Sequence, residues 1–189
     1  MPRDGLLTRN NIVAAADELL QPGPACRERG CDRREAGVTK KTFYYHFKSK
    51  DDLIGCYLDA RDRPTVDRFK VWAGSEGSVA DRMTRFFSKL GKSSQGPRWH
   101  GCGFLRAAAE LANMHGHPAL TAARTHKARC EQWLFEMVNE EDHSDAKTIA
   151  RALMVLIDGA VSQILIHRDA KYATSAGLAA RSLLSRGQL

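Results

Sequence analysis

The stretch Ala36-Gly37-Val38-Thr39-Lys40-Lys41-Thr42-Phe43-Tyr44-Tyr45-His46-Phe47-Lys48-Ser49-Lys50-Asp51-Asp52-Leu53-Ile54 leaves a chain few ways to fold. Phe43 and Phe47 stand four apart and share one face of a helix, while Lys41, Tyr45 and Lys48, flanked by Thr42 and Tyr44, turn the other way. The spacing predicts a short helix with an apolar back and a basic, aromatic front. Gly37 suits a tight turn because glycine accepts positive φ, and the Thr39 hydroxyl can cap the helix that follows. A short exposed helix entered through a Gly-containing turn is the recognition element of a helix-turn-helix.

Composition narrows the class. At 189 residues, 43% hydrophobic and 27% charged, the chain can bury a sizeable core and has the balance of a soluble globular protein. No apolar run reaches membrane-spanning length by eye, and Met1-Pro2-Arg3-Asp4-Gly5 lacks the apolar centre of a signal peptide, so a cytoplasmic protein is expected. Cys26, Cys31, Cys56, Cys102 and Cys130 include no C-x-x-C pair. They predict free thiols rather than a disulfide framework or a zinc knuckle, with redox sensing as the alternative. The net charge is +7, and ten Lys and Arg against six Asp and Glu put +4 of it within residues 1–50. Basicity concentrated around the predicted recognition helix fits a polyanionic partner.

Along the chain, Thr8 can cap a first helix in which Ile12, Ala15, Ala16, Leu19 and Leu20 recur at spacings of three and four. Residues 21–35, QPGPACRERGCDRRE, break that pattern, offering only Ala25 and two cysteines amid proline, glycine and charge. After Lys50 a helix carries Leu53, Ile54, Tyr57 and Leu58 toward Pro64, which either kinks or ends it. Residues 74–78 read as a loop, and the next helix bears Val79, Met83, Phe86, Phe87 and Leu90 and ends before Gly91. Phe104, Leu105, Ala108 and Leu111 form one stripe, and a longer helix starts at Pro118 with Arg124, His126, Lys127 and Arg129 on its polar face. Ile149, Leu153, Leu156, Ile157, Ala160 and Ile164 belong to a stripe too broad for one neighbour, and Ala176, Ala180 and Leu183 follow on a last helix of small residues. Either a second surface covers these residues or they are internal core.

The segment AGVTKKTFYYHFKSKDDLI resembles the recognition helix and following helix of the TetR family of transcriptional regulators, and LTRNNIVAAADELL resembles the family's first helix. GCGFLRAAAELANMHGHPAL is similar to the body of one TetR subgroup. The resemblance implies an all-α fold: a helix-turn-helix DNA-binding head over residues 1–54 and a helical ligand-binding and dimerisation body over 55–189. It also implies a homodimer joined through a four-helix interface, for which Ile149, Leu153, Leu156, Ile157, Ala160, Ile164, Ala176, Ala180 and Leu183 are the candidates.

By the same resemblance Thr39, Lys40, Lys41, Thr42, Tyr44, Tyr45, His46 and Lys50 lie at DNA-contacting positions, where cations suit phosphates and hydroxyl or planar groups suit base edges. Residues 21–35 fall where the family has the first helix of its helix-turn-helix. A local reading-frame slip or an irregular loop would each produce such a stretch. A pocket among the middle helices could draw on Met83, Phe86, Phe87, Trp99, Phe104, Leu111, Met114, Trp133 and Met137, although each also serves as plain core. His115, His117 and His126 have no standard metal spacing and read as surface or capping residues, and Cys102 has neither an oxyanion-hole motif nor a basic partner. No cofactor, metal or catalytic activity is expected. The reading is a TetR-like regulator that binds double-stranded DNA at a near-palindromic operator and is released by a small-molecule effector. The alternative is a helical dimer that binds a small molecule or protein but not DNA, because 21–35 is disrupted.

Overall fold

The computed structural model describes residues 7–14 and 40–185. Within them the regular structure is all helical: α1 (7–14), α2 (Lys40–His46), α3 (Lys50–Ala73), α4 (Val79–Ser93), α5 (Gly103–Glu110), α6 (Pro118–Asn139), α7 (Ala146–His167) and α8 (Lys171–Ser185). Thr39, the predicted cap of α2, and the whole of 21–35 lie outside the described residues. Thr8 sits within the helical run of α1 rather than ahead of it.

Local chemistry sets the ends of the helices. At α3, Ser49 accepts from the Asp52 N–H at 3.1 Å while Asp52 Oδ2 accepts from the Lys48 N–H at 3.0 Å, a reciprocal arrangement of the capping-box kind. The helix then runs 24 residues through Pro64 to Gly74, whose N–H still donates to the Lys70 carbonyl and whose φ of 74° turns the chain out of the helix. Ser78 caps α4 through the Asp81 N–H, and α4 continues past Gly91 to Ser93, beyond the predicted end. His117 caps α6 with Nδ1, which accepts from the Ala119 N–H at 3.1 Å, and Pro118 fills the first turn.

Three apolar clusters result. Ile12, Phe43, Phe47 and Leu53 form a small one beneath α2. Leu58, Phe104, Ala119, Ala122 and Ala123 join α3, α5 and α6. The main core lies among α3, α4, α6, α7 and α8 around Phe86, Phe87, Leu134, Leu153 and Ile164, where each fully buried large side chain contributes roughly 1.5–3 kcal/mol.

The small residues of α8 permit close approach, as their composition suggested, but the backbone they meet is α4. A Cβ at Gly177 would lie 3.1 Å from Phe87 Cβ, and one at Gly91 would lie 3.3 Å from Ala173 Cβ.

The stripe expected at a dimer interface lies largely inside the single chain. Ile149, Leu153, Ile157, Ala160, Ile164, Ala176 and Ala180 are buried within the single chain, and Leu156 and Leu183 are half-buried against the same core. Helices α6 and α8 pack against α7, so much of the stripe is covered without a second chain. The large apolar residues that α7 and α8 turn outward are Val155, Ile166 and Leu178. By length and composition α7 could also cross a membrane, contrary to the reading of the sequence by eye, yet 44% of its apolar window is buried inside this fold.

Candidate functional site: a nucleic-acid face and a body cavity

Helix α2 is seven residues long, too short to hold itself in water, and is fixed by what lies beneath it. Phe43 and Phe47 are 6% and 1% exposed, with ring centroids 5.7 Å apart. Arg9 of α1 lies over the Phe47 ring at 5.2 Å and donates to Cys56 Sγ of α3 at 3.0 Å, tying three helices at one point. The opposite face presents Lys41, Tyr44 and Tyr45, the tyrosines 52% and 70% exposed, with Lys48 and Lys50 exposed beyond its end. Thr42 and His46 are half-buried at the margins, His46 edge-on to Tyr45. Lys40 begins the helix.

The first half of α3 lies close against α6. Asp51 lies 3.3 Å from His117 Nε2. Gly55 of α3 touches Pro118 of α6 so tightly that a Cβ there would stand 2.6 Å from the proline Cβ. Further along α3, buried Asp62 accepts from His126 Nδ1 at 2.8 Å and forms an ion pair with Arg129, whose Nε also lies at 2.8 Å.

His126, predicted on the polar face of α6, is 1% exposed and stacks on Phe104 at 3.7 Å. Burial holds its pKa below 6.5, opposed by the Asp62 hydrogen bond, so the ring is neutral at pH 7. Cys130, 3.5 Å from His126 Nε2, has its thiol pushed up to about 12, chiefly by burial. A protonated thiol facing Nε2 and a carboxylate facing Nδ1 together select the Nδ1–H tautomer. A thiol so held is a poor nucleophile, and Cys56, Cys102 and Cys130 are all free.

A cavity of about 420 Å³ opens beside this joint, between α3 and α5 and under the segment that connects α4 to α5. Of the residues proposed for a pocket, Trp99, Phe104 and Leu111 line it. Met83, Phe86, Phe87, Trp133 and Met137 do not: they are buried in the main core, because their helices turn those positions toward one another. Met114 is 48% exposed on the turn before α6.

The sequence reading missed the wall supplied by α3, on which Tyr57, Arg61, Thr65, Arg68 and Trp72 face the cavity. Their spacing of four, four, three and four is a helical stripe, and that signal was available. Arg98 and Arg106 add two further guanidinium groups. Arg61 lies over the Tyr57 ring at 5.8 Å and Arg68 over Trp72 at 5.6 Å. Partial burial, and then the like charge of Arg61, pull the Arg68 pKa below its ordinary value. Among the described residues no group of three or more His, Cys, Asp or Glu could hold a metal ion.

Comparison with known proteins adds the following. Residues 33–55 match the model of bacterial regulatory proteins of the tetR family. The chain is 26% identical over 180 residues to the HTH-type transcriptional regulator TtgR of Pseudomonas putida, covering 86% of this chain and 82% of the relative. Among solved structures it is similar to a TetR-family transcriptional regulator from Streptomyces coelicolor, with a TM-score of 0.80, 25% identity and 96% of each chain covered. A TetR-family regulator from Cytophaga hutchinsonii shares the fold at a TM-score of 0.81 and 15% identity, over 98% of this chain and 97% of the other.

Proposed function

We propose that this chain, which belongs to the TetR family of regulatory proteins, binds a near-palindromic operator as a two-fold dimer and acts as a repressor that a small molecule in the body cavity releases. Like its relatives it is a transcriptional regulator and not an enzyme. The observation that carries the reading is the outward face of α2, where Lys41, Tyr44 and Tyr45 stand exposed on a helix anchored by Phe43 and Phe47.

Residues 1–54 act as the DNA-binding head and 55–189 as the body. Thr39, Lys40, Lys41, Thr42, Tyr44, Tyr45, His46 and Lys50 meet the major groove and its flanking phosphates. A second copy covers the uncharged outward positions of α7 and α8, among them Val155, Gly159, Ile166 and Leu178. The protein works in the cytoplasm. Helix α3 supports the coupling, since it carries Leu53 under α2 and Arg68 and Trp72 in the cavity wall. A ligand that binds one setting of α3 better than another shifts the spacing of the two heads by that difference in affinity.

The test is selection of random-sequence duplex DNA by the full chain, followed by salt titration. Enrichment of a palindrome with a steep salt slope is expected. Lys50→Ala weakens binding to every sequence and flattens the slope by about one, whereas Lys41→Ala alters base preference. A folded dimer that enriches no site overturns the reading in favour of a regulator body without DNA binding. That alternative draws on the family match beginning only at residue 33, which leaves 21–32 outside it.

A further inference from the structure

The cavity has an unusual charge for a place that would bury a small molecule. Arg61, Arg68, Arg98 and Arg106 line it with Glu110 as the one carboxylate, together with His100. Among the described residues Arg68 has no carboxylate within ion-pair distance, and the largest charge acting on it is the like charge of Arg61. The first turn of α5 also borders the space, and its N-cap residue, Cys102, makes no side-chain capping bond, so backbone N–H groups there await acceptors. The remaining walls are flat and apolar: Trp72, Trp99, Phe104 and Tyr57.

These features discriminate between ligand classes. A neutral ligand filling about 420 Å³ would strip water from Arg68 without offering an acceptor in return, which costs binding energy. An anionic head answers the same group with charge-assisted hydrogen bonds, and guanidinium forks suit carboxylate, sulfonate or phosphate oxygens. Arg61 and Arg68 are already stacked on Tyr57 and Trp72, which leaves less side-chain freedom to lose on binding.

We propose that the cavity selects an aromatic anion, with a planar body of one or two fused rings among Trp72, Trp99 and Phe104 and an acidic head on Arg61 and Arg68. This rests on the reading of the cavity as the effector site and names the class of effector. Because both arginines stand on α3, the anion draws on the helix that supports the head, so its charge, and not only its bulk, biases the position of α3.

A matched pair of fluorescent probes tests this on the full chain: 8-anilinonaphthalene-1-sulfonate and its uncharged counterpart N-phenyl-1-naphthylamine. Binding inside the cavity is read by quenching of Trp72 and Trp99 emission, identified with Trp72→Phe and Trp99→Phe. The sulfonate is expected to bind at least about tenfold more tightly than the neutral probe, with affinity that falls as salt rises. Arg68→Gln and Arg61→Gln should each remove most of that preference while neutral-probe affinity changes less than about threefold, which also shows the variants to be folded. Lys89→Gln, an exposed charge on α4 away from the cavity, should change neither affinity. Equal affinities for the two probes, or a preference that survives both arginine variants, overturns the anion proposal and leaves the cavity reading intact. Failure of both probes to quench the tryptophans overturns the cavity reading itself, and the proposal with it.

Discussion

Replacing Asp62 with Ala removes the acceptor on which the α3–α6 joint is built. In the native chain Asp62 is 6% exposed and holds one hydrogen bond from a fully buried histidine and one ion pair with an arginine whose side chain is 43% exposed. The two partners respond differently to the loss. Arg129 can swing into water, so its share is that of a surface pair, about 0–1 kcal/mol. His126 cannot: its Nδ1–H is left buried without a partner, at about 1–3 kcal/mol. The variant should therefore lose roughly 2–3 kcal/mol, a sizeable part of a typical total of about 5–15 kcal/mol. Asp62→Asn keeps an amide oxygen for His126 and loses only the pairing with Arg129, so about 1 kcal/mol is expected. Urea unfolding at fixed protein concentration measures both, the midpoint shifting at constant slope. The reasoning is refuted if Asp62→Ala lies within about 0.5 kcal/mol of the native chain, or if the Asn and Ala variants are equally destabilised.

Three further outcomes follow from the same geometry. The folded state holds the His126 pKa below 6.5, so the unfolded chain binds the extra proton first; stability should fall as pH drops below 6.5 and level off beneath the folded pKa. His126→Gln should remove that part of the pH dependence in parallel urea titrations. Phe47→Ala should cost about 3–5 kcal/mol locally, abolishing DNA binding while the main-core transition seen by circular dichroism stays in place, because the cluster under α2 is separate from that core. Gly55→Ala gains up to about 1 kcal/mol in helix propensity yet forces a methyl to within 2.6 Å of a rigid proline ring; a net loss of about 1–2 kcal/mol is expected, and a raised Tm would contradict the contact.

What could be read from the sequence was local. Phe43 and Phe47 announce their face because no other residues of α2 compete for it, and Ser78 and Pro118 mark helix starts by chemistry that acts within one turn. What could not be read depends on which helices become neighbours. The stripe from Ile149 to Ile164 has the same periodicity whether a partner chain or α4, α6 and α8 cover it. His126 looked polar because its surroundings in sequence include Lys127 and Arg129, and only Asp62, 64 positions away, makes its burial tolerable. The cavity was sought partly among Met83, Phe86, Phe87, Trp133 and Met137, which fill the core, while Trp99, Phe104 and Leu111 do line it. Its distinguishing groups are arginines on α3, a helix whose sequence reads as a connector.

Pro64 bears on how that connector can move. It lies within the 24 residues of α3 and has no N–H for the Ala60 carbonyl, and both residues face solvent, on the opposite side of the helix from Asp62. A rod with one rung missing along a single edge is not equally stiff in every plane. It bends most easily where that edge can open or close, which here is the plane that contains α6. Because Asp51, Gly55 and Asp62 tie the first half of α3 to α6 ahead of that rung, a bend opened there would carry residues 40–62 and the start of α6 together, as one piece swinging against the rest of α3.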